Sequence, residues 1–340
     1  MKTWKKIVLL IGILLLAFGL TVLQIAHHRG DSFGFGTPSF GFGSSGSFDY
    51  DQKGYTVCTD GEESFSAKDV RALHIDWLSG AVSVERYDGK DVVVREKASA
   101  RLSEDQCMRF RLSGGTLSIL PCANRVGNLP EKQLTVLVPQ SLTPSEAAAD
   151  ATSASVTMRG LDVAGEIRLS SLSGSLHAED CSCTSLQLDS SSGSQSILRC
   201  EVIGGVDADS LSGSFTAEEL SCLSLAVESS SGSHKISALS CGELKLSSTS
   251  GSQRASGLDC RSADCSSTSG SVQLSFAAEP ESVKVESTSG SVELTFPKGT
   301  GVDLVFDSSS GSLHGDKSRV RGGIPVDVET TSGSLTIRYQ

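Results

Sequence analysis

Aromatic residues are scarce in this 340-residue chain: twelve phenylalanines, four tyrosines and two tryptophans, 5% in all. That is too few to fill a wide globular core, so the core must be thin and built from smaller aliphatic side chains. Histidine is rare too, at six residues, and no nucleophile-elbow motif accompanies the many serines. A serine hydrolase would lack an identifiable base and oxyanion site. No glycine-rich segment opens a helix, as a phosphate-binding loop would. Paired CxxC spacing is absent among the ten cysteines, which argues against a zinc site from Cys181, Cys183 and Cys200. Positive charge is in deficit, with 29 Lys and Arg against 40 Asp and Glu and a net charge of −11. Nucleic acid binding wants the opposite balance. These absences leave no catalytic residue and no cofactor to assign, and they point to a binding or structural protein.

What the chain has in abundance is a repeat. Ser-Gly-Ser returns nine times in its second half, with glycines at Gly174, Gly193, Gly213, Gly232, Gly251, Gly270, Gly290, Gly311 and Gly333. A fixed period near 20 residues is the signature of a repeat architecture. Seven residues before the glycines stand Ile167, Leu186, Val206, Leu225, Leu244, Ala263, Val283, Leu304 and Val326. Five before stand Leu169, Leu188, Ala208, Val227, Leu246, Cys265, Val285, Phe306 and Val328. Both columns are apolar with mostly polar residues between, the period of two that defines a strand. Apolar residues return two and four places after the glycine, as in Val272 with Leu274 and Val292 with Leu294. A second strand therefore follows a bend.

One coil cannot bury these columns alone. Stacking coils about 4.8 Å apart pairs every strand with its equivalent above and below. The expected fold is all-β: a parallel β-solenoid of about 20 residues and two short strands per coil. Antiparallel hairpins would give mirror-related patterns, whereas here identical positions repeat as identical residue types. At the corner, glycine accepts angles that a Cβ forbids and lets neighbouring chain approach closely. The serines at minus three and minus one, such as Ser190 and Ser192, are expected to point inward. Their hydroxyls are placed to bond backbone or the same serine one coil away.

Residues 1–6 carry Lys2, Lys5 and Lys6, and an apolar stretch follows over 7–26. Its length suits a membrane-spanning helix, and the lysines place the short 1–6 end in the cytoplasm. Ala17-Phe18-Gly19 resembles a cleavage site, which would make the segment a signal peptide and the protein secreted. The apolar run continues past it through Val22, Leu23 and Ile25, which favours an uncleaved signal-anchor. The expected location is the cell membrane, single-pass, with the rest of the chain extracytoplasmic. Residues 27–54 are a Gly/Ser/Phe-rich linker. Residues 55–160 read as an irregular opening or cap, and 161–340 as the regular solenoid.

The opening carries weaker copies of the pattern. Leu73 to Val84 has strand–corner–strand spacing around Gly80, Leu134 to Pro139 is a strand ended by proline, and Ala154 occupies a glycine slot. Together with the Ser-Gly-Ser array, these segments resemble the putative-adhesin β-strand-repeat proteins of bacterial envelopes, a domain of unknown function, over roughly residues 70–340. The resemblance implies a β-solenoid and an envelope location, often near envelope-stress systems. It carries over no active-site residues.

Two sets of side chains fall off the strict repeat. At minus four stand Asp189, Asp209, Glu228, Glu286, Asp307 and Glu329. Such a row suits divalent cations through oxygen ligands, or serves as a solvated face, the commoner role. Arg168, Lys245 and Lys284 at minus six are placed to soften its repulsion. Cys181 and Cys200 share the plus-seven position, and Cys183, Cys222, Cys241 and Cys260 share plus nine. Equivalent positions on adjacent coils lie within disulfide range, so Cys222–Cys241 is open to bridging, and Cys107–Cys122 to closing a hairpin. Buried thiols are the alternative.

The function expected is a membrane-anchored, non-catalytic binding, adhesion or envelope-organising scaffold, with an envelope protein or wall polymer as partner and no nucleic acid. Self-association through the coil ending at Gln340 is expected if that coil is uncovered. The alternatives are a carbohydrate-active solenoid enzyme, for which nothing singles out an acid–base pair within the row, and a ligand-sensing component of an envelope-stress system.

Overall fold

The computed structural model describes residues 50–124, 126–315 and 320–340. The apolar segment 7–26 and most of the linker lie outside the described residues. Among the described residues no helix is long and apolar enough to cross a membrane, and regular structure is β apart from one 3-10 turn at Glu104–Gln106.

Eight strands build the N-terminal end: β1 (Thr56–Val57), β2 (Glu62–Ser66), β3 (Ala72–Tyr87), β4 (Asp91–Ala98), β5 (Arg109–Ser113), β6 (Thr116–Leu120), β7 (Lys132–Pro139) and β8 (Glu146–Arg159). The alternating segment around Gly80 is β3, a complete strand–corner–strand. It lies between β8 on one side and β6 with β7 on the other, all parallel to it. Beyond β6 and β7 the chain turns antiparallel: β5 pairs β6 and β1, and β4 pairs β7 and β2. This cap contains a buried ion pair, Lys132 Nζ to Glu96 Oε1 at 2.6 Å. The ammonium also donates to the carbonyls of Gln106 and Pro121 and lies over the Trp77 ring, while Glu96 Oε2 accepts the Met108 N–H at 3.0 Å.

The regular coils follow as β9 (Glu166–Ser171), β10 (Leu176–Glu179), β11 (Ser182–Cys183), β12 (Ser185–Ser190), β13 (Gln195–Leu198), β14 (Glu201–Val202), β15 (Gly205–Ser210), β16 (Phe215–Ser229), β17 (His234–Ser248) and β18 (Gln253–Ser267). Each pairs in parallel with its equivalent about 20 residues away, as Leu186↔Val206 and Leu225↔Leu244. The solenoid is as expected, and its parallel stack begins upstream of residue 161, because β8 already pairs β3 and β9.

The coil differs from expectation in having three sides. β9, β10 and β11 are separate sides of one turn, and in β16 to β18 the corresponding segments run on as single long strands bent at the corners. The extra corner lies six residues past the repeat glycine, where Gly160, Asp180, Arg199, Glu219, Ala238 and Gly257 all have positive φ. Four of these six are not glycine, so this corner left no mark in the sequence.

The repeat glycines have a different reason. None of them has positive φ. A Cβ on Gly193 would instead overlap the carbonyl oxygen of Gly174, and one on Gly213 that of Gly193, and so along the stack. Close approach, not backbone angle, fixes this column. The minus-three hydroxyl then closes the corner: Gly213 N–H donates to Ser210 Oγ at 2.7 Å, and Ser267 Oγ donates to the Gly270 carbonyl at 3.1 Å. The minus-one serines, Ser192 among them, face solvent instead of inward.

The last strands are β19 (Val272–Phe276), β20 (Ser282–Ser287), β21 (Val292–Phe296), β22 (Val302–Ser308), β23 (Leu313–Gly315), β24 (Ile324–Thr330) and β25 (Leu335–Tyr339). In these coils the plus-six column becomes aromatic. Phe276 and Phe296 stack with centroids 5.2 Å apart, and Tyr339 tilts on Phe296 at 6.3 Å. Their coil order breaks the sequence order. β24 pairs β20 on one side and β22 on the other, and β25 lies likewise between β21 and β23. The coil ending at Gln340 is therefore internal, with its end held by Gln340 N–H to the Phe296 carbonyl at 3.0 Å. The uncovered coil is β22 and β23. Among the described residues their outer edge has no strand partner, and Leu304, Phe306 and Leu313 are only partly buried.

Candidate functional site

Parallel pairing turns the minus-four positions into a row along the first side of the coil. Asp189, Asp209 and Glu228 are successive Cα partners, and beyond Ser247 and Ser266 come Glu286, Glu329 and Asp307 in that spatial order. All six proposed carboxylates thus lie in one row, in two blocks of three. Two further members escaped the sequence reading. Asp76 and Asp150 are Cα partners of each other, and Ser170 joins them to Asp189. Their signal was available, since each stands four residues before Gly80 or Ala154.

Crowding of like charges has measurable consequences at the N-terminal end. Burial, with the Asp150 carboxylate adding repulsion, pushes the Asp76 carboxyl up to about 7. Burial, then Asp209, raises Asp189 to about 6. Desolvation also raises Asp150 and Asp209. The minus-six cations act as expected: Lys245 Nζ donates to Glu228 at 3.0 Å, Arg168 lies 3.8 Å from Asp150, and Lys284 lies 2.7 Å from Glu286. Among the described residues no three His, Cys, Asp or Glu side chains gather closely enough to hold a metal ion. The row is spread along the axis rather than folded round a point.

Beside the C-terminal block the surface is concave. A groove of about 410 Å³ is lined by the Ser and Thr ladders at Ser248, Thr268, Thr288 and Thr331 and by Glu286, Glu329 and Asp307. Every lining side chain is a hydroxyl or a carboxylate, and no aromatic platform is present in it.

Inside the corner, His234 is buried between Phe215 and Gln253 on the neighbouring coils. Its Nε2 lies 2.8 Å from Ser229 Oγ, and burial lowers its pKa to about 4. No carboxylate orients its Nδ1, which has no hydrogen-bond partner. This Ser–His contact is interior packing, closed to substrate. All ten cysteines stand as thiols. Cys222, Cys241 and Cys260 are successive Cα partners. Extending the β5–β6 register by two residues sets Cys107 opposite Cys122.

The model of the family described as Toastrack DUF4097 matches residues 70–338. The chain belongs to the Toastrack family. No curated protein matches it. Solved structures similar to this Toastrack chain include a putative lipid binding protein from Parabacteroides distasonis, 15% identical, with 85% of this chain and 97% of that one covered and a TM-score of 0.39. A putative adhesin from Bacteroides fragilis is 11% identical over 85% and 98% of the two chains, with a TM-score of 0.32. A putative cell adhesion protein from Clostridium sporogenes is 10% identical over 84% and 98%, with a TM-score of 0.19.

Proposed function

We propose that the protein is a non-catalytic binding scaffold, held at the outer face of the cell membrane by residues 7–26 and carrying its solenoid outside. The observation that carries this reading is the form of the acidic side: equivalent carboxylates and hydroxyls repeat at strand spacing, with no convergent acid–base pair. Such a row suits an extended partner that makes the same contact several times, and multivalent contacts gain by effective concentration. An envelope protein or wall polymer is the partner class proposed. Full-length protein and a chain lacking residues 1–26 are compared by membrane fractionation and external protease. The reading expects only the full chain to sediment with membranes and its solenoid to be cut from outside. Pull-downs from envelope fractions then compare the wild type with Glu286→Gln/Glu329→Gln/Asp307→Asn. Unchanged capture by the triple variant counts against the acidic side as the binding face.

A second reading concerns the open coil. An unpaired strand edge is a template for another strand, and β22 carries no proline or lysine to block it. We propose that two copies, or one copy and an extended partner segment, pair there. Sedimentation over a wide concentration range tests self-association, and a protein that stays monomeric throughout excludes the first form.

A further inference from the structure

The third side of the coil carries the thiols, and the stack arranges them in a way that a single disulfide does not use up. Cys222, Cys241 and Cys260 occupy the same position on three consecutive coils. The Cys241 side chain is in hydrogen-bond contact with both neighbours. In-register parallel strands set equivalent Cα atoms about 4.8 Å apart, inside the range a disulfide spans. The same stacking places the three sulfurs in sequence along the solenoid axis. Thiol–disulfide exchange needs this order, because the attacking sulfur, the central sulfur and the leaving sulfur lie close to one line.

Access is concentrated at the middle member. Cys222 and Cys260 are buried, whereas Cys241 is partly exposed. The next residue is Gly242, where the adjacent coils carry Leu223 and Arg261, so a side chain is missing from the wall beside the thiol. The Arg261 guanidinium folds across that gap, about 3.0 Å from where a Gly242 Cβ would lie. A nearby guanidinium favours a thiolate. Leu223, 58% exposed, and Ile203, 78% exposed, stand on the two preceding coils at the same corner. They give an apolar landing next to the opening.

We propose that Cys222, Cys241 and Cys260 form a thiol–disulfide exchange site with Cys241 as its shared centre. The oxidant is a disulfide, either of a small thiol or of a partner protein. The Cys241 thiolate attacks one sulfur of R–S–S–R, forming a mixed disulfide and releasing one RS⁻. The thiolate of Cys222 or Cys260 then attacks the Cys241 sulfur and expels the second RS⁻. Two protein thiols lose their protons and two RS⁻ take them up, so two thiols and R–S–S–R become one protein disulfide and two R–SH. The remaining cysteine can attack Cys241 in turn and pass the bond along the axis, with no net redox change.

The Cys181 and Cys200 thiols provide an internal control. They are also in side-chain contact on adjacent coils, but the equivalent positions on either side are Leu161 and Leu220. That pair can close and open without exchanging.

The test uses the full chain, equilibrated with mixtures of oxidised and reduced glutathione, acid-quenched, alkylated and digested with trypsin. Cleavage after Lys235, Lys245 and Arg254 separates the three cysteines, and fragmentation distinguishes Cys222 from Cys200. The wild type is expected to contain both Cys222–Cys241 and Cys241–Cys260 linkages, interconverting after the glutathione is removed. Cys260→Ser should leave only the first and Cys222→Ser only the second, while Cys241→Ser loses both and retains Cys181–Cys200. A single fixed linkage in the wild type, two that do not interconvert, or none at any glutathione ratio overturns the proposal. The wild-type measurement decides this even where a variant folds poorly.

Discussion

The two ends of the solenoid solve the same problem in opposite ways. A parallel stack leaves a row of unpaired backbone groups at each end. At the N-terminal end, β6 and β7 are followed by antiparallel strands, and the buried Lys132–Glu96 pair ties them to Trp77 in β3. At the other end β22 and β23 stand with no outer partner among the described residues. The inner members of the Leu304 and Phe306 columns, such as Leu225 and Val227, are fully buried, whereas Leu304 and Phe306 are not. Covering an end takes about 60 residues of irregular sequence here (residues 55–120), which the repeat itself cannot supply. The open end retains the repeat pattern unmodified, and so retains the capacity to add a strand.

Four experiments sharpen that contrast. The largest effect is expected in the cap. Lys132→Ala leaves Glu96 buried without its cation, which costs about 3–5 kcal/mol by analogy with other buried pairs. Denaturant unfolding measures it, and replacing both partners by apolar residues should recover much of the loss. Next come the glycines. Gly232→Ala in the middle of the stack drives a Cβ into the Gly213 carbonyl and should cost about 3 kcal/mol or more. Gly311→Ala meets the Gly333 carbonyl in the same way, but its coil is free to shift outward, and about 1 kcal/mol is expected. Equal losses at the two positions would mean the end coil is as constrained as the middle.

The third test is pH. Asp76 and Asp189 have folded pKa values above their unfolded value near 3.8, at about 7 and about 6. Folding holds their protons more tightly, so their contribution favours the folded state below pH 4. It is lost as pH rises from about 4 through 7, by roughly 1–2 kcal/mol after solvent screening. Asp76→Asn with Asp189→Asn should flatten the stability profile across that window, and an unchanged slope would remove these groups from the account. The smallest effect belongs to the open end. Val305→Lys, on a residue 51% exposed, should alter stability by no more than about 0.5 kcal/mol. If copies pair through β22, the same change should abolish the concentration dependence of sedimentation.

Much of the middle of the molecule was legible because identical residues in identical slots can satisfy one another only by in-register stacking. The minus-seven and minus-five columns, the glycine column and the acidic row all follow from that single fact. The third side was not legible, because its corner at Asp180, Arg199, Glu219 and Ala238 is imposed by the surrounding strands on residues with no preference of their own for positive φ. Coil order at the C-terminal end was hidden for the opposite reason. Strands as alike as β20, β22 and β24 pair equally well in any order, and only the lengthening of the glycine spacing to 21 and then 22 residues marked the change. Asp76 and Asp150 were overlooked because their corners lack the full tripeptide. Cys241 showed the right position but not the missing wall beside it, which depends on Gly242 meeting Arg261 across coils.

The interleaved order of the last coils has a consequence for how the chain reaches its final state. Synthesis delivers β22 before β24, yet β24 must end between β20 and β22. A nascent chain that has emerged only as far as Gly315 can satisfy itself by laying β22 directly on β20, a pairing the finished protein does not contain. The strands that emerge last have to arrive before that shortcut closes, or prise it apart. Refolding of the full chain should therefore show a slow phase absent from a chain ending after β21, and ribosome pausing past Gly315 should lengthen it.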